Sequence, residues 1–309
     1  MEMLVSLLLL SFGFVMLVKG ADWFVDGASG IAERFGIPQL VIGLTIVAMG
    51  TSAPEAAVSI TAAVRGNADI TIGNIVGSNI LNILIILGLS SVITMLTVSR
   101  STVLYEIPFM IVITIALLVQ GMDGVVAFSE GIVLLLLFLA YGGYLFAMAK
   151  RGNAVYADNR KKRGLWQSVL WTITGLVLIV AGSNVAVDAA STIAGILGMS
   201  ERFIGLTIVA LGTSLPELFT SVSAARKGNA DIAIGNIVGS NIFNILFVIG
   251  ISALITPIPF SAGFCVDTVA AVLVGILLLV CSARHRKLHR KSGIIMLISY
   301  VLYFVLICI

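Results

Sequence analysis

Two glutamates stand where a lipid-facing helix has no use for them. Glu55 closes the stretch "TIVAMGTSAPE" at 45–55, and Glu217 closes "TIVALGTSLPE" at 207–217. An acidic side chain near mid-depth in a bilayer costs at least ~2.5 kcal/mol and persists chiefly for function. Thr51 and Glu55, like Thr213 and Glu217, are four residues apart and share a helix face, which Ser59 and Ser221 extend by another turn. The next helices add Ser78 and Asn82, and Ser240 and Asn244, again at i and i+4. Pro54 and Pro216 lack an amide hydrogen, so each helix must break or kink beside its acid. That frees carbonyls around Ala48 to Thr51 and Ala210 to Thr213, which lipid cannot satisfy. Every ligand on offer is oxygen, with no Cys or His, a set that suits Ca2+ and Na+ better than Zn2+ or Cu2+. Mg2+, which sheds water reluctantly and demands octahedral geometry, fits less well. One Ca2+ or two Na+ would neutralise two carboxylates. A site costly to leave empty but open to either load is the electrostatic basis of an exchanger.

The elements that carry these residues must be membrane helices. Of 309 residues 59% are hydrophobic and 11% charged, and the mean hydropathy is +1.14, far outside the range of soluble domains. Ten apolar runs approach the ~20 residues that a spanning helix needs. They lie near 3–32, 38–64, 70–97, 103–120, 128–149, 165–194, 203–225, 232–256, 264–283 and 292–309. The first has no basic n-region and no cleavage site, so it reads as a retained span. Sorting the loops by side leaves Arg65 and Arg202 on one face. Arg34, Arg100, Lys150, Arg151, Arg160 to Arg163, Arg226, Lys227 and the basic cluster from Arg284 to Lys291 fall on the other. The positive-inside rule then places both termini outside a cell membrane and the linker "KRGNAVYADNRKKRG" in the cytoplasm. That linker reads as a solvated topology determinant, and no nucleic-acid or obligate protein partner is indicated. Both histidines, His285 and His289, lie in a basic loop, away from any proton route through the core. Cys265, Cys281 and Cys308 read as packing residues, and no cofactor is implied.

The chain is built twice. Shifted by 162 residues, 41–82 aligns with 203–244 without a gap, and 30 of 42 positions are identical. "GNADITIGNIVGSNILN" returns as "GNADIAIGNIVGSNIFN". The expected organisation is a first five-helix repeat at 1–149, a basic linker at 150–164 and a second repeat at 165–309. Five is odd, so equivalent helices must cross in opposite directions. The fold class is an all-α integral membrane protein of ten helices in two inverted repeats, with the site at the repeat interface as in secondary transporters. Gly73, Gly77, Gly235 and Gly239 fit either close helix packing or the site itself. Asn67, Asp69, Asn229 and Asp231 are expected as helix caps, and the matched acids Asp26 and Asp188 as lining or gating groups. A channel with a carboxylate ring is the alternative of another class. A hydrolase is not supported, since neither motif supplies an Asp pair, a Ser with a His, or a metal-binding His.

"GTSAPE" and "GTSLPE", followed by "GNIVGSNILN" and "GNIVGSNIFN", resemble the paired alpha-repeats of the calcium/cation antiporter superfamily, most closely its compact microbial sodium/calcium exchangers. The resemblance spans essentially the whole chain. It implies that Glu55 and Glu217 ligate Ca2+ with the backbone carbonyls of Thr51 and Thr213. It also implies that Ala48, Ser52, Ser78, Ala210, Ser214 and Ser240 help form flanking Na+ sites, while the first and sixth helices slide across the core. Asn244 departs from the pattern, which usually has an aspartate there opposite an asparagine such as Asn82. The departure removes one titratable group and argues against K+ co-transport. Proton/calcium members of the superfamily remain the alternative, although their "GNxxE" motif differs from the one here.

Overall fold

The computed structural model describes residues 2–151, 164–198 and 210–308. All but the ends of the linker expected at 150–164, and the start of the span expected at 203–225, lie outside the described residues. The remainder is helical: α1 (Glu2–Phe35), α2 in two parts (Gln39–Thr51 and Ala53–Val64), α3 (Ile70–Ile93), α4 (Thr102–Asp123), α5 (Phe128–Arg151) and α6 (Leu165–Ile196). Then follow α7 in two parts (Ala210–Thr213 and Leu215–Arg226), α8 (Ala230–Ile255), α9 (Ala262–Ala283) and α10 (Arg290–Cys308). Among the described residues seven helices are long and apolar enough to cross a membrane, or eight if the bent α2 is one span.

Burial sorts these helices into an inside and an outside. In α3 and α8, 78% and 83% of the apolar window is buried, against 22% in α1 and 17% in α5. The outer helices turn Leu4, Leu8, Phe12, Leu136, Leu139 and Leu302 outward. Such a belt would be an aggregation hazard in water and is the expected surface toward lipid.

Two features tie the halves together. On α1, Gly13, Gly20 and Gly27 recur every seven residues along the face that meets α6. A Cβ would stand 2.8 Å from the Ala186 nitrogen at Gly13, 2.9 Å from the Gly175 oxygen at Gly20, and 2.5 Å from the Thr172 nitrogen at Gly27. The α6 partners fall in number as the α1 glycines rise, so the helices run antiparallel with their backbones almost touching. Second, two short antiparallel ribbons, which hydropathy does not reveal, pair Leu96 with Leu288 and Val126 with Ile258. Each ribbon takes one strand from each half, and the 162-residue shift carries Leu96 to Ile258 and Val126 to Leu288, so one ribbon maps onto the other.

Candidate functional site

The break expected before the glutamates is present in both halves. Ser52 leaves helical geometry at φ −82°, ψ 7°, and Ser214 at φ −90°, ψ 2°. The two parts of α2 are bent by 50°. Pro216 takes the amide hydrogen from the Gly212 carbonyl four residues back, and the Ser183 hydroxyl of α6 donates to that oxygen instead, at 2.7 Å. The Ala48 carbonyl accepts from the Ser52 amide at 3.0 Å and from the Ser240 hydroxyl at 3.4 Å. Downstream, α3 and α8 each open into a π-helical stretch, at Asn82–Leu87 and Asn244–Ile249. Turns of this kind are frequent at functional sites, and here each begins on the asparagine singled out from sequence.

The two halves meet through reciprocal bonds. Ser52 Oγ donates to Glu217 Oε1 at 2.8 Å, and its counterpart Ser214 Oγ donates to Glu55 Oε1 at 3.3 Å. Asn82 Nδ2 donates to Asn241 Oδ1 at 3.0 Å and Asn244 Nδ2 to Asn79 Oδ1 at 3.2 Å, while Asn79 and Asn241 each donate to the other's carbonyl. Asn74 holds the Glu55 carbonyl and the Ser59 hydroxyl, and Asn236 holds the same pair at Glu217 and Ser221.

All this bonding leaves a specific remainder. Glu55, Glu217, Asn82 and Asn244 are fully buried. Glu55 Oε2, Glu217 Oε2, Asn82 Oδ1 and Asn244 Oδ1 have no hydrogen-bond partner. Buried acceptors are normally satisfied, and these four are related in pairs by the 162-residue shift. Neither glutamate has an ion-pair partner among the described residues; the cation pairing there belongs to Lys227. Four unpaired oxygens, two of them on carboxylates, fit a bare cation of oxygen-loving type. Of the other residues picked out from sequence, Ser52, Ser214, Ser78, Ser240, Thr51 and Ala48 are buried. Thr213 is partly exposed, and the side chain of Ala210 lies outside the description.

Several expectations change. Asn229 occupies an N-cap position but makes no side-chain cap bond, and its amide donates to Ser29 Oγ instead, at 3.1 Å. Asp231 accepts from Ser99 at 2.7 Å. Asp26 is paired with Lys227 at 2.7 Å. Gly235 and Gly239 prove to be packing residues: a Cβ on Gly239 would stand 2.8 Å from Ala48 Cβ and from Leu44 Cα. Their counterparts differ, since Gly73 is exposed and Gly77 partly exposed. Asn74, Asn236, Asn79 and Asn241 were not foreseen, although they sit inside the duplicated words. Nor was Thr220, a buried hydroxyl without a partner one turn after Glu217, whose counterpart is Val58.

The sequence model described as Sodium/calcium exchanger protein matches the chain twice, at residues 5–147 and 167–309. The chain is similar to the putative antiporter CaxA of Alkalimonas amylolytica, with 39% identity over 97% of this chain and 98% of that one. It is 34% identical to the inner membrane protein YrbG of Escherichia coli, over 97% and 96% of the two chains. Among solved structures it resembles the sodium-calcium exchanger NCX_Mj soaked with 10 mM Na+ and zero Ca2+, at a TM-score of 0.86 and 34% identity, covering 98% of this chain and 99% of the other.

Proposed function

Because this chain belongs to the sodium/calcium exchanger protein family, we propose that it is a secondary antiporter that moves Ca2+ against Na+ by alternating access. The observation that carries the reading is the set of four orphaned, fully buried oxygens on Glu55, Glu217, Asn82 and Asn244. In this reading Glu55 and Glu217 ligate Ca2+ with the carbonyls of Thr51 and Thr213. Ala48, Ser52, Ser78, Ala210, Ser214 and Ser240 serve flanking Na+ sites. Ser52 and Ser214 each hold the opposite half's carboxylate, so an ion at either site would be felt by both halves.

The organisation follows the same logic. Repeats at 1–149 and 165–309, joined by the linker 150–164, would supply ten spans, α1 to α10. An inverted relation is supported by the antiparallel run of α1 against its counterpart α6, by the reciprocal bonds across the site, and by the family match falling once on each half. With the basic loops inside, both termini lie outside a cell membrane. Ca2+ and Na+ are cargo, and the function needs no resident cofactor.

The test is 45Ca uptake into proteoliposomes loaded with Na+, set against uptake driven by a pH gradient alone. Na+-driven uptake is expected, and Glu55→Gln or Glu217→Gln should each reduce it by at least about 30-fold, the effect of losing ~2 kcal/mol of charge-assisted ligation. Uptake on a pH gradient alone would transfer the assignment to proton/calcium exchange. Ca2+ current without any counter-ion would indicate a channel.

A further inference from the structure

The molecule buries a third carboxylate that the exchange site does not use. Glu106, one turn into α4, is 1% exposed. The Tyr144 hydroxyl of α5 donates to its Oε1, while Oε2 has no partner, nor do the buried hydroxyls of Tyr141 and Thr102. No ion pair forms at Glu106 among the described residues. Glu106 and Tyr141 line a recess of ≈ 380 Å³ between α4 and α5, walled also by Tyr105, Phe109 and Tyr144. The rings form a continuous series: Phe109 and Tyr141 stack at 5.4 Å and 14°, Tyr141 and Tyr144 at 6.3 Å and 26°, and Tyr105 lies 6.5 Å from Tyr144. The repeat does not reproduce this arrangement. The position matching Glu106 is Thr268, whose hydroxyl turns back to the Phe264 carbonyl of its own helix.

An unpaired carboxylate among aromatic faces is the chemistry that recognises an organic ammonium, held by charge on one side and by ring quadrupoles on the others. A bare Ca2+ would want six or more oxygens, and the residues lining the recess offer two orphaned ones, on Glu106 and Tyr141, amid ring carbon. The surroundings suggest where the ammonium comes from. Leu104 and Tyr105 at the mouth are exposed on a helix that faces lipid. Arg100 lies six residues before Glu106 and Lys150 six residues after Tyr144, both exposed. At ~1.5 Å per residue each is about 9 Å further toward the same end of the helix pair. An ammonium inside and a phosphate at the rim describe a zwitterionic headgroup. The geometry points to a binding site for an aminophospholipid, with the ammonium on Glu106 and the phosphate at Arg100 and Lys150.

Native mass spectrometry of the full-length protein, titrated in detergent with phosphatidylethanolamine, its N-acetylated derivative or phosphatidylglycerol, tests this. Phosphatidylethanolamine should be retained about tenfold more strongly than the other two, a difference in the range of a desolvated cation–π and charge contact. Glu106→Gln should remove that preference, whereas Asp267→Asn, an acid elsewhere on the lipid-facing shell, should keep it. Equal retention of the amine and N-acetyl lipids by the unaltered protein would overturn the proposal without recourse to any variant. Displacement of the lipid by millimolar free ethanolamine would show that the recess takes a soluble amine and would overturn the lipid assignment. Protection of the recess by Ca2+ in place of the amine would overturn the ammonium itself.

Discussion

The Asn244 amide donates to Asn79 Oδ1 at 3.2 Å, mirroring the bond from Asn82 to Asn241. An ionised aspartate at 244 can only accept, so Asn244→Asp would lose that bond and add a third negative charge to the buried interior that holds Glu55 and Glu217. Leaving one buried acceptor facing another costs about 1–3 kcal/mol. The Ca2+-free protein should therefore melt lower than the unaltered one, and added Ca2+ should recover more stability in the variant because it meets a more negative site. Thermal melts with and without Ca2+ decide this, and an unchanged Ca2+-free melting point would remove the amide network from the argument. The centre of the site is legible in sequence because carboxylates, hydroxyls and two carboxamides recur at one offset in apolar surroundings. The supporting amides of Asn74, Asn236, Asn79 and Asn241 recur at that offset too. Their role depends on which side of α3 and α8 faces the break, and one-dimensional spacing gives packing and ligation the same pattern. Thr220 is illegible for the opposite reason, since it is not duplicated at all.

Among the elements, the first part of α2 packs closely on α8, while most of the segment that matches it in the second half lies outside the described residues. Gly43 and Gly235 approach so closely that a Cβ on Gly43 would stand 3.1 Å from Gly235 Cα and one on Gly235 3.0 Å from Gly43 Cα, and Gly239 is sealed against Leu44 and Ala48. At the other end of the molecule a Cβ on Gly73 would make only van der Waals contact with Phe264, at 3.6 Å, and one on Gly77 would meet no described atom within 4 Å; Leu206 and the Ala210 side chain, which match Leu44 and Ala48, lie outside the described residues. If the two halves exchange roles during transport, Gly77 must enter the crowded arrangement that Gly239 occupies here. Gly77→Ala should then leave folding intact while cutting Na+-driven Ca2+ uptake by about tenfold or more, because a clash of one methyl against backbone costs ~1–3 kcal/mol in only one state. Gly239→Ala should instead disfavour the conformation described. Cysteine labelling at position 74 reports which end is open: accessibility should persist in the first variant and fall in the second, and identical behaviour would sever packing from gating. The helices themselves were readable in part, since among the described residues seven or eight of the ten apolar runs fall on helices long and apolar enough to cross a membrane. The ribbons at 96–97 with 287–288 and 125–126 with 258–259 were not, being two-residue pairings between segments far apart in the chain. The difference in exposure between Gly77 and Gly239 was beyond reach too, because identical words in a sequence cannot record two different surroundings.

At the scale of the whole molecule an asymmetry appears in charge. Lys227 lies 2.7 Å from Asp26 Oδ1 and 3.5 Å from Asp22 Oδ1 and also donates to the Asp22 carbonyl, while Ser223 donates to Asp22 and Asn229 to Ser29. Together these fasten α1 to the end of α7 on the side where α2 and α8 are sealed. The repeat carries Asp26 to Asp188 and Lys227 to Arg65, so a matching acid and base stand at the opposite end. There both are exposed and no ion pair joins them. One fastening carries an ion pair and its counterpart does not, an asymmetry that the exchanger reading proposed above would use to favour one of two states. A partly exposed pair contributes only about 0.2–1 kcal/mol, but a two-state equilibrium needs little more than 1.4 kcal/mol to shift tenfold. Lys227→Met should therefore move the population toward the state sealed at the other end, lowering labelling at position 74 by a few-fold, and Arg65→Met should raise it or leave it at its ceiling. Restoring charge in trans provides the control, since Asp26→Lys combined with Lys227→Asp should return labelling toward the unaltered level. Should Lys227→Met and Arg65→Met shift labelling in the same direction, the ion pair would be a local brace, and the balance between states would rest on helix packing alone.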